Sequence, residues 1–157
     1  MLWFKKKVPT QEFVGNMLRD KLPQAISFFK KENEHSRHAF KVSDTKLHEI
    51  GAGMILFFMG EHYPDTDKKN LALMGRAYKV VEKVLPSMNA SPKEAYAWWK
   101  AYTDALIFQE DEERLRIACR LTWEKLETKP FRETSPLRTF GYFLEMEVAA
   151  VKKVTLV

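Results

Sequence analysis

The chain has 157 residues and a net charge of +5 at pH 7, and 45% of its residues are hydrophobic. A domain of this length can bury roughly 70% of its unfolded surface, so it does not need disulfides or structural metals to fold. The single cysteine, Cys119, excludes an internal disulfide, and a lone thiol is typical of the reducing cytoplasm. We therefore expect one cytoplasmic domain over residues 1–157, with residues 1–8 forming a flexible or surface-docked tail.

Apolar segments that could serve membrane targeting are short. In residues 1–10, four apolar residues precede three lysines, whereas a secretory leader has its charge first and then about 7–15 apolar residues. The longest apolar run, residues 50–60, would rise only about 16 Å as a helix, which is about half of a bilayer core. The sequence therefore predicts neither a secretory leader nor a membrane-spanning helix.

The first helix is predicted to begin near Thr10. Its apolar residues recur with helical spacing: Phe13, Met17, Leu18, Leu22, Ala25, Phe28 and Phe29. Pro23 lies on the opposite face, so the helix is expected either to kink there or to restart with Pro23 in a new first turn. The polar residues 30–46 are predicted to form a loop.

The second predicted helix starts with Ser43 or Asp44 as N-cap and is apolar on all sides over residues 50–60. Such a helix is expected at the centre of a bundle. Gly53 and Gly60, seven residues apart, share a face on which a neighbouring helix backbone could approach closely. A third helix is predicted over residues 66–88.

Three further helices are predicted in the second half of the chain. Ser91 and Glu94 have the spacing of a capping box at the start of the fourth helix. A break is predicted at residues 109–113, because the apolar stripe shifts by about 120° there and acidic residues favour a helix N-terminus. The fifth helix should end near Glu127, and Ser135 should cap the sixth.

No segment shows the alternation or the hairpin turns of paired strands. Six helices of about 15 to 25 residues, joined by short turns, predict an all-α fold. We expect an antiparallel bundle of about six helices or a helical-hairpin array.

Histidines near carboxylates raise the question of a metal site. On a straight helix His48 and His62 would lie about 21 Å apart, too far to share an ion. A site made from His35, His38, His48 and Glu49 is geometrically allowed if the intervening loop folds back, and it would make the protein a metal-binding helical-bundle enzyme. The alternative is that these are surface histidines near helix ends.

Recognisable catalytic motifs are absent from the sequence, which has no nucleophile elbow, phosphate-binding glycine loop or dinucleotide fingerprint. Glu49 and Glu61, at the two ends of the apolar helix, are the only candidates for a general acid, unless they are simply exposed helix ends. Glu112 and Arg116 have the i,i+4 spacing of an exposed helix face. We therefore lean against enzyme activity and expect no cofactor.

Positive charge is concentrated in the first third of the chain. Residues 1–47 contain ten Lys or Arg and five Asp or Glu, so this segment accounts for the whole net charge. Five basic residues there could form a phosphate-binding patch: Lys30, Lys31, Arg37, Lys41 and Lys46. Ordinary solvated charge would explain the same residues, and no recognition-helix pattern accompanies them.

Aromatic residues are the last candidates for a binding surface. Trp98, Trp99 and Tyr102 share one face of the predicted fourth helix, and Trp and Tyr are enriched in binding hot spots, although the same spacing is typical of a core. Residues 1–7 place a Trp and a Phe beside three lysines, which suits peripheral membrane contact. Alternatively, these residues pack on the bundle, or the two chain ends pair with each other or with a second subunit.

The functional hypothesis that remains is a small non-catalytic helical protein that mediates protein–protein contacts. It would be an adaptor or accessory subunit that binds a protein partner or self-associates. A nucleic-acid-binding protein that uses the basic N-terminal third, and a metal-binding helical-bundle enzyme, are the alternatives.

Overall fold

A computed structural model describes residues 4–37, 39–109, 112–127 and 136–157. The described chain consists of helices and two short strands: β1 Lys6–Val8, α1 Thr10–Asn16, a π-helical turn Met17–Lys21, α2 Leu22–His35, α3 Asp44–His62, α4 Lys68–Val84, a 3₁₀ turn Leu85–Met88, α5 Pro92–Phe108, α6 Arg114–Leu126, α7 Pro136–Val148, a 3₁₀ turn Ala149–Lys153 and β2 Val154–Leu156. Because α1 continues into α2 through the π turn, these are six helical segments. The predicted all-α bundle of about six helices is confirmed.

The first helical segment is longer than predicted. The helix widens at Met17–Lys21 and ends this turn two residues before Pro23. Pro23 lies in the first turn of α2 and has no N–H to donate to the carbonyl four residues earlier. Helix α2 then continues to His35, so the predicted loop over residues 30–46 was wrong for its first six residues. The Asn33 side chain both donates to the Phe40 carbonyl (2.9 Å) and accepts from the Phe40 N–H (2.7 Å), which fixes the chain after the helix.

Helix α3 lies at the centre and contacts α2, α4, α5, α6 and α7. Its residues from Glu49 to Met59 are all buried, as the apolar run predicts. A Cβ atom on Gly53 would lie 2.7 Å from the Trp98 Cβ and 3.0 Å from the Ala95 carbonyl oxygen, so close approach of α5 requires a glycine there. Gly60 instead faces the side chain of Arg114, so the predicted approach of a helix backbone was wrong at that position.

The helix starts agree with their capping residues. Ser43 accepts a hydrogen bond from the Lys46 N–H (3.1 Å) and Ser91 accepts one from the Glu94 N–H (3.3 Å), as predicted. The predicted break also occurs, because α5 ends at Phe108 and α6 begins at Arg114. The predicted cap Ser135 lies outside the described residues.

Two short strands join the ends of the described chain. Strands β1 and β2 pair in parallel, with Lys6 opposite Val154 and Val8 opposite Leu156. The expectation that no strands pair was therefore wrong, whereas the alternative that the two chain ends pair with each other was right. Three-residue strands with no turn between them show neither the alternation nor the hairpin signal on which sequence prediction depends. No helix of the described residues is long and apolar enough to cross a membrane.

Candidate functional site

The candidate metal ligands either form hydrogen bonds with the backbone or lie apart from one another. The His48 ring Nδ1 lies 2.7 Å from the Asp44 carbonyl oxygen. Glu49 is buried, and its Oε2 accepts a hydrogen bond from the Ser91 N–H at 2.7 Å. His35 is exposed at the end of α2, and His38 lies outside the described residues. Within the described ranges, no three His, Cys, Asp or Glu side chains come together as a possible metal site.

The Glu49 contact also corrects the predicted capping box. In that motif the side chain of the third helical residue, here Glu94, accepts from the N-cap N–H. In this structure the acceptor of the Ser91 N–H is Glu49, supplied by α3 forty-two residues earlier. Glu49 therefore holds the start of α5 against α3.

The basic candidates around the end of α2 are all exposed: Lys30, Lys31, Arg37, Lys41 and Lys46. Lys30 forms an ion pair with Asp44 at 2.6 Å. Because both partners are exposed, this pair adds little to stability, but it partly neutralises the patch.

The three aromatic candidates do not share one environment. Trp98 and Tyr102 are buried against α3, so the prediction of a partner contact was wrong for these two. The Tyr102 hydroxyl lies 2.6 Å from Thr122 Oγ1, which in turn donates to the Ala118 carbonyl at 2.7 Å. Because the one Thr122 proton is used on that carbonyl, Tyr102 is the donor to Thr122. Trp99 is half-buried and reaches the surface.

Trp99 belongs to a group of three rings that sequence reasoning did not assemble. Its ring centroid lies 5.4 Å from that of Tyr96 on α5 and 6.5 Å from that of Tyr78 on α4, and the two tyrosine rings are 5.5 Å apart. We call Tyr78, Tyr96 and Trp99 the aromatic trio. Sequence periodicity places Tyr78 on α4 but cannot indicate that α4 and α5 meet.

A pocket of about 250 Å³ lies beside the aromatic trio. Leu71 and Met74 of α4 and Trp99 and Thr103 of α5 form its walls, and Arg114 of α6 lies at one side. We call it the Trp99 pocket. Leu71 is 52% exposed, so a large apolar side chain on the rim faces solvent.

Arg114 stabilises the end of α3 next to this pocket. Its Nη1 donates to the Phe57 carbonyl (2.7 Å), and the guanidinium lies 4.8 Å from the Phe57 ring centroid. Burial lowers the pKa of Arg114, and the nearby Glu61 carboxylate opposes that effect. A cation is favourable at a helix C-terminus, so Arg114 has a structural role there.

A separate depression of about 330 Å³ beyond Arg114 is lined by carboxylates and by Lys152. Burial raises the pKa of Glu145, and the charges of Glu61 and Glu113 raise it further. Glu61 is exposed, as one of the two readings of the sequence expected. The pattern of the last helix did not single out Glu145, because its surroundings come from α3 and α6.

Cys119 is buried, and its Sγ donates to the Leu137 carbonyl at 3.5 Å. Burial raises the pKa of this thiol to about 12. Since the thiolate is the reactive form, Cys119 behaves as a small core residue at neutral pH.

Comparison of the chain with protein-family models, with curated proteins and with solved structures finds no match.

Proposed function

We propose that this protein is a non-catalytic interaction protein that binds a partner on the face formed by α4 and α5. The observation that carries the proposal is the Trp99 pocket beside the aromatic trio. Trp, Tyr and Met are enriched in the cores of protein interfaces, and a half-buried Trp beside an open pocket is typical of a binding hot spot. Trp99 and Met74 are half-buried and Tyr96 is 41% exposed, so a partner can reach this surface.

The position of Gly75 also supports partner binding on the face formed by α4 and α5. It lies four residues after Leu71 and three before Tyr78, so all three share one side of α4. A Cβ atom on Gly75 would meet nothing within 4 Å. A glycine inside a helix costs about 1 kcal/mol relative to alanine, and no close contact in the described chain requires one here. Close approach of a partner backbone would account for it.

The charges beside this face favour an acidic partner. On α4, Lys68 lies three residues before Leu71 and Lys79 lies four after Gly75; on α5, Lys93 lies three residues before Tyr96. These lysines are exposed and flank the apolar surface, whereas Glu82, four residues after Tyr78, and Asp65, which lines the Trp99 pocket, carry the opposite charge. The balance of these charges is positive. The occupant that fits is an amphipathic helix with an apolar face and acidic flanks, supplied by a partner protein.

Two synthetic helices test the proposal. Both have about 18 residues and the same apolar face, but one has Glu and the other Lys on its polar face, and each is labelled for fluorescence anisotropy. We expect the acidic helix to bind, and Trp99→Ala and Gly75→Arg each to weaken binding by about tenfold or more. Gly75→Ala, whose methyl group would hold a partner backbone away, should weaken binding less than Gly75→Arg, and Tyr142→Ala, which removes a 51% exposed aromatic on α7, is the matched control.

Equal binding of both helices, or binding that is insensitive to Gly75→Arg, would contradict the proposal. Light scattering separates it from self-association. A dimer that Gly75→Arg converts to a monomer would show that the occupant is a second copy of this chain.

We also propose a cytoplasmic location. It is supported by the lone thiol of Cys119, which is buried and has no disulfide partner.

A further inference from the structure

A second cavity lies between the two-stranded sheet and the junction of α3 with α4. Its volume is about 390 Å³. Tyr63 and Asn70 line both this cavity and the Trp99 pocket, so the two lie back to back. We call it the lysine pocket, because Lys5, Lys69 and Lys152 line it.

The three lysines come from separate parts of the chain. Lys5 precedes β1, Lys69 lies in the first turn of α4, and Lys152 lies in the 3₁₀ turn before β2. Because β1 and β2 are parallel and Lys6 is opposite Val154, Lys5 and Lys152 lie at the same end of the sheet. The fold therefore brings like charges together.

No described carboxylate faces this positive charge inside the cavity, although Lys152 also lines the neighbouring depression with Glu61, Glu113 and Glu145. None of the described residues that line the cavity is acidic. No described carboxylate lies within ion-pair distance of Lys5, Lys69 or Lys152. The N-terminus of α4 adds little, because Asp67 already accepts from the Asn70 N–H at 2.8 Å. Converging cations in a concave surface focus an attractive potential for anions.

Neutral polar groups and apolar side chains complete the cavity. Burial raises the pKa of Tyr63, so its hydroxyl keeps its proton and can donate. Burial lowers the pKa of His62, and the charge of Lys152 lowers it further while Glu61 opposes both, so the imidazole is neutral at pH 7. Leu73 and Val151 add an apolar wall. The cavity thus offers cations to an anionic group and an apolar surface to the rest of a ligand.

We propose that the lysine pocket binds a phosphate group through Lys5, Lys69 and Lys152. A phosphate monoester carries a charge of about −1.5 to −2 at pH 7 and three acceptor oxygens, whereas a carboxylate carries one charge and two oxygens. Three lysines from three directions therefore match phosphate better. The group belongs to a free phosphate compound or to the headgroup of a phospholipid. This proposal does not rest on the proposed docking on α4 and α5, although Tyr63 and Asn70 line both cavities.

The test is a titration of the full chain with inorganic phosphate and with glycerol phosphate, followed by ³¹P NMR and by thermal unfolding. Sodium chloride at matched ionic strength controls for screening of the lysines. We expect saturable binding and a rise in Tm that chloride does not reproduce. We expect Lys152→Gln and Lys69→Gln each to weaken binding by about tenfold, whereas Lys79→Gln, an exposed lysine on the same helix as Lys69, should change it by less than about twofold.

The Tm measured without phosphate is a second readout, in case a substitution perturbs the fold. Without phosphate, Lys69→Gln should be at least as stable as the wild type, because it removes repulsion by Lys5 and Lys152 and a cation from the first turn of α4. A lower Tm of this variant without phosphate would show that Lys69 is structural and would overturn the proposal. A Tm rise that chloride reproduces, or one that persists in a Lys69→Gln/Lys152→Gln double variant with native circular dichroism, would also overturn it.

Flotation with vesicles distinguishes the two sources of phosphate. Phosphatidylcholine vesicles with and without phosphatidic acid are compared for the wild type and for Lys152→Gln. Lysine-dependent binding only to vesicles that contain phosphatidic acid, without an effect of soluble phosphate, supports a lipid headgroup. Saturable binding of soluble phosphate without vesicle binding supports a free ligand, and no binding in either arm refutes the site.

Discussion

The same substitution, glycine to alanine, should have opposite effects at two helical positions. At Gly53 a Cβ atom would lie 2.7 Å from the Trp98 Cβ, 3.0 Å from the Ala95 oxygen and 3.1 Å from the Trp99 nitrogen. Because these atoms belong to the backbone of α5 or adjoin it, no rotamer change relieves the overlap. Overpacking of this kind costs about 3 kcal/mol. Alanine regains about 1 kcal/mol of helix propensity, so Gly53→Ala should lower the free energy of unfolding by about 2 kcal/mol.

Gly75→Ala supplies the matched control for this reasoning. Nothing lies within 4 Å of a Cβ at that position, so only the propensity gain of about 1 kcal/mol remains. Urea unfolding followed by circular dichroism should place the two variants on opposite sides of the wild type, with unchanged m-values. In a protein of this size, Tm should fall by about 4–8 °C for Gly53→Ala and rise by about 2–4 °C for Gly75→Ala. Stabilisation by Gly53→Ala would refute the close approach of α3 and α5.

Two further predictions concern buried polar groups. Tyr102→Phe removes the hydrogen bond to Thr122, but Thr122 keeps its own hydrogen bond to the Ala118 carbonyl. The free energy of unfolding should therefore fall by about 1 kcal/mol, and a loss above about 3 kcal/mol would contradict this assignment of donors. Burial raises the pKa of Glu145 above its usual value of 4.5, so the folded state loses stability as pH rises through that range. Glu145→Gln should therefore be more stable than the wild type at pH 7 and lose this advantage below about pH 4. The same difference in free energy of unfolding at both pH values, measured by urea unfolding, would contradict the assigned cause.

Local patterns in the sequence predict most of the helices. The cap at Ser43, the apolar run over residues 50–60 and the break after Phe108 each depend on neighbours within about four residues, and each is confirmed. The extension of α2 to His35 was missed because charged residues allow either a helix or a loop. What settles the choice is the contact of Asn33 with Phe40, which follows the helix.

The candidate sites were less predictable because they are formed by residues distant in sequence. Trp99 was identified among the aromatic candidates, but its separation from the buried Trp98 depends on which side of α5 faces α3. The aromatic trio requires Tyr78 of α4, and the lysine pocket requires β1 to pair with β2. No periodicity within one helix carries that information. The sequence shows the excess charge of the first third but not the convergence of Lys5 with Lys69 and Lys152.

The two ends of α3 carry or contact groups of opposite charge, as expected from the helix dipole. At the first end, Glu49 meets the start of α5, where unpaired N–H groups favour a carboxylate, and the pair becomes part of the core. At the last end the carbonyls of α3 favour cations, and Arg114 binds the Phe57 carbonyl there. His62 ends the same helix and lines the lysine pocket, while Arg114 lines the Trp99 pocket. The first end of the central helix is thus buried against a carboxylate, whereas the last end borders the Trp99 pocket, the lysine pocket and the depression lined by Glu61, and ligands should be sought there first.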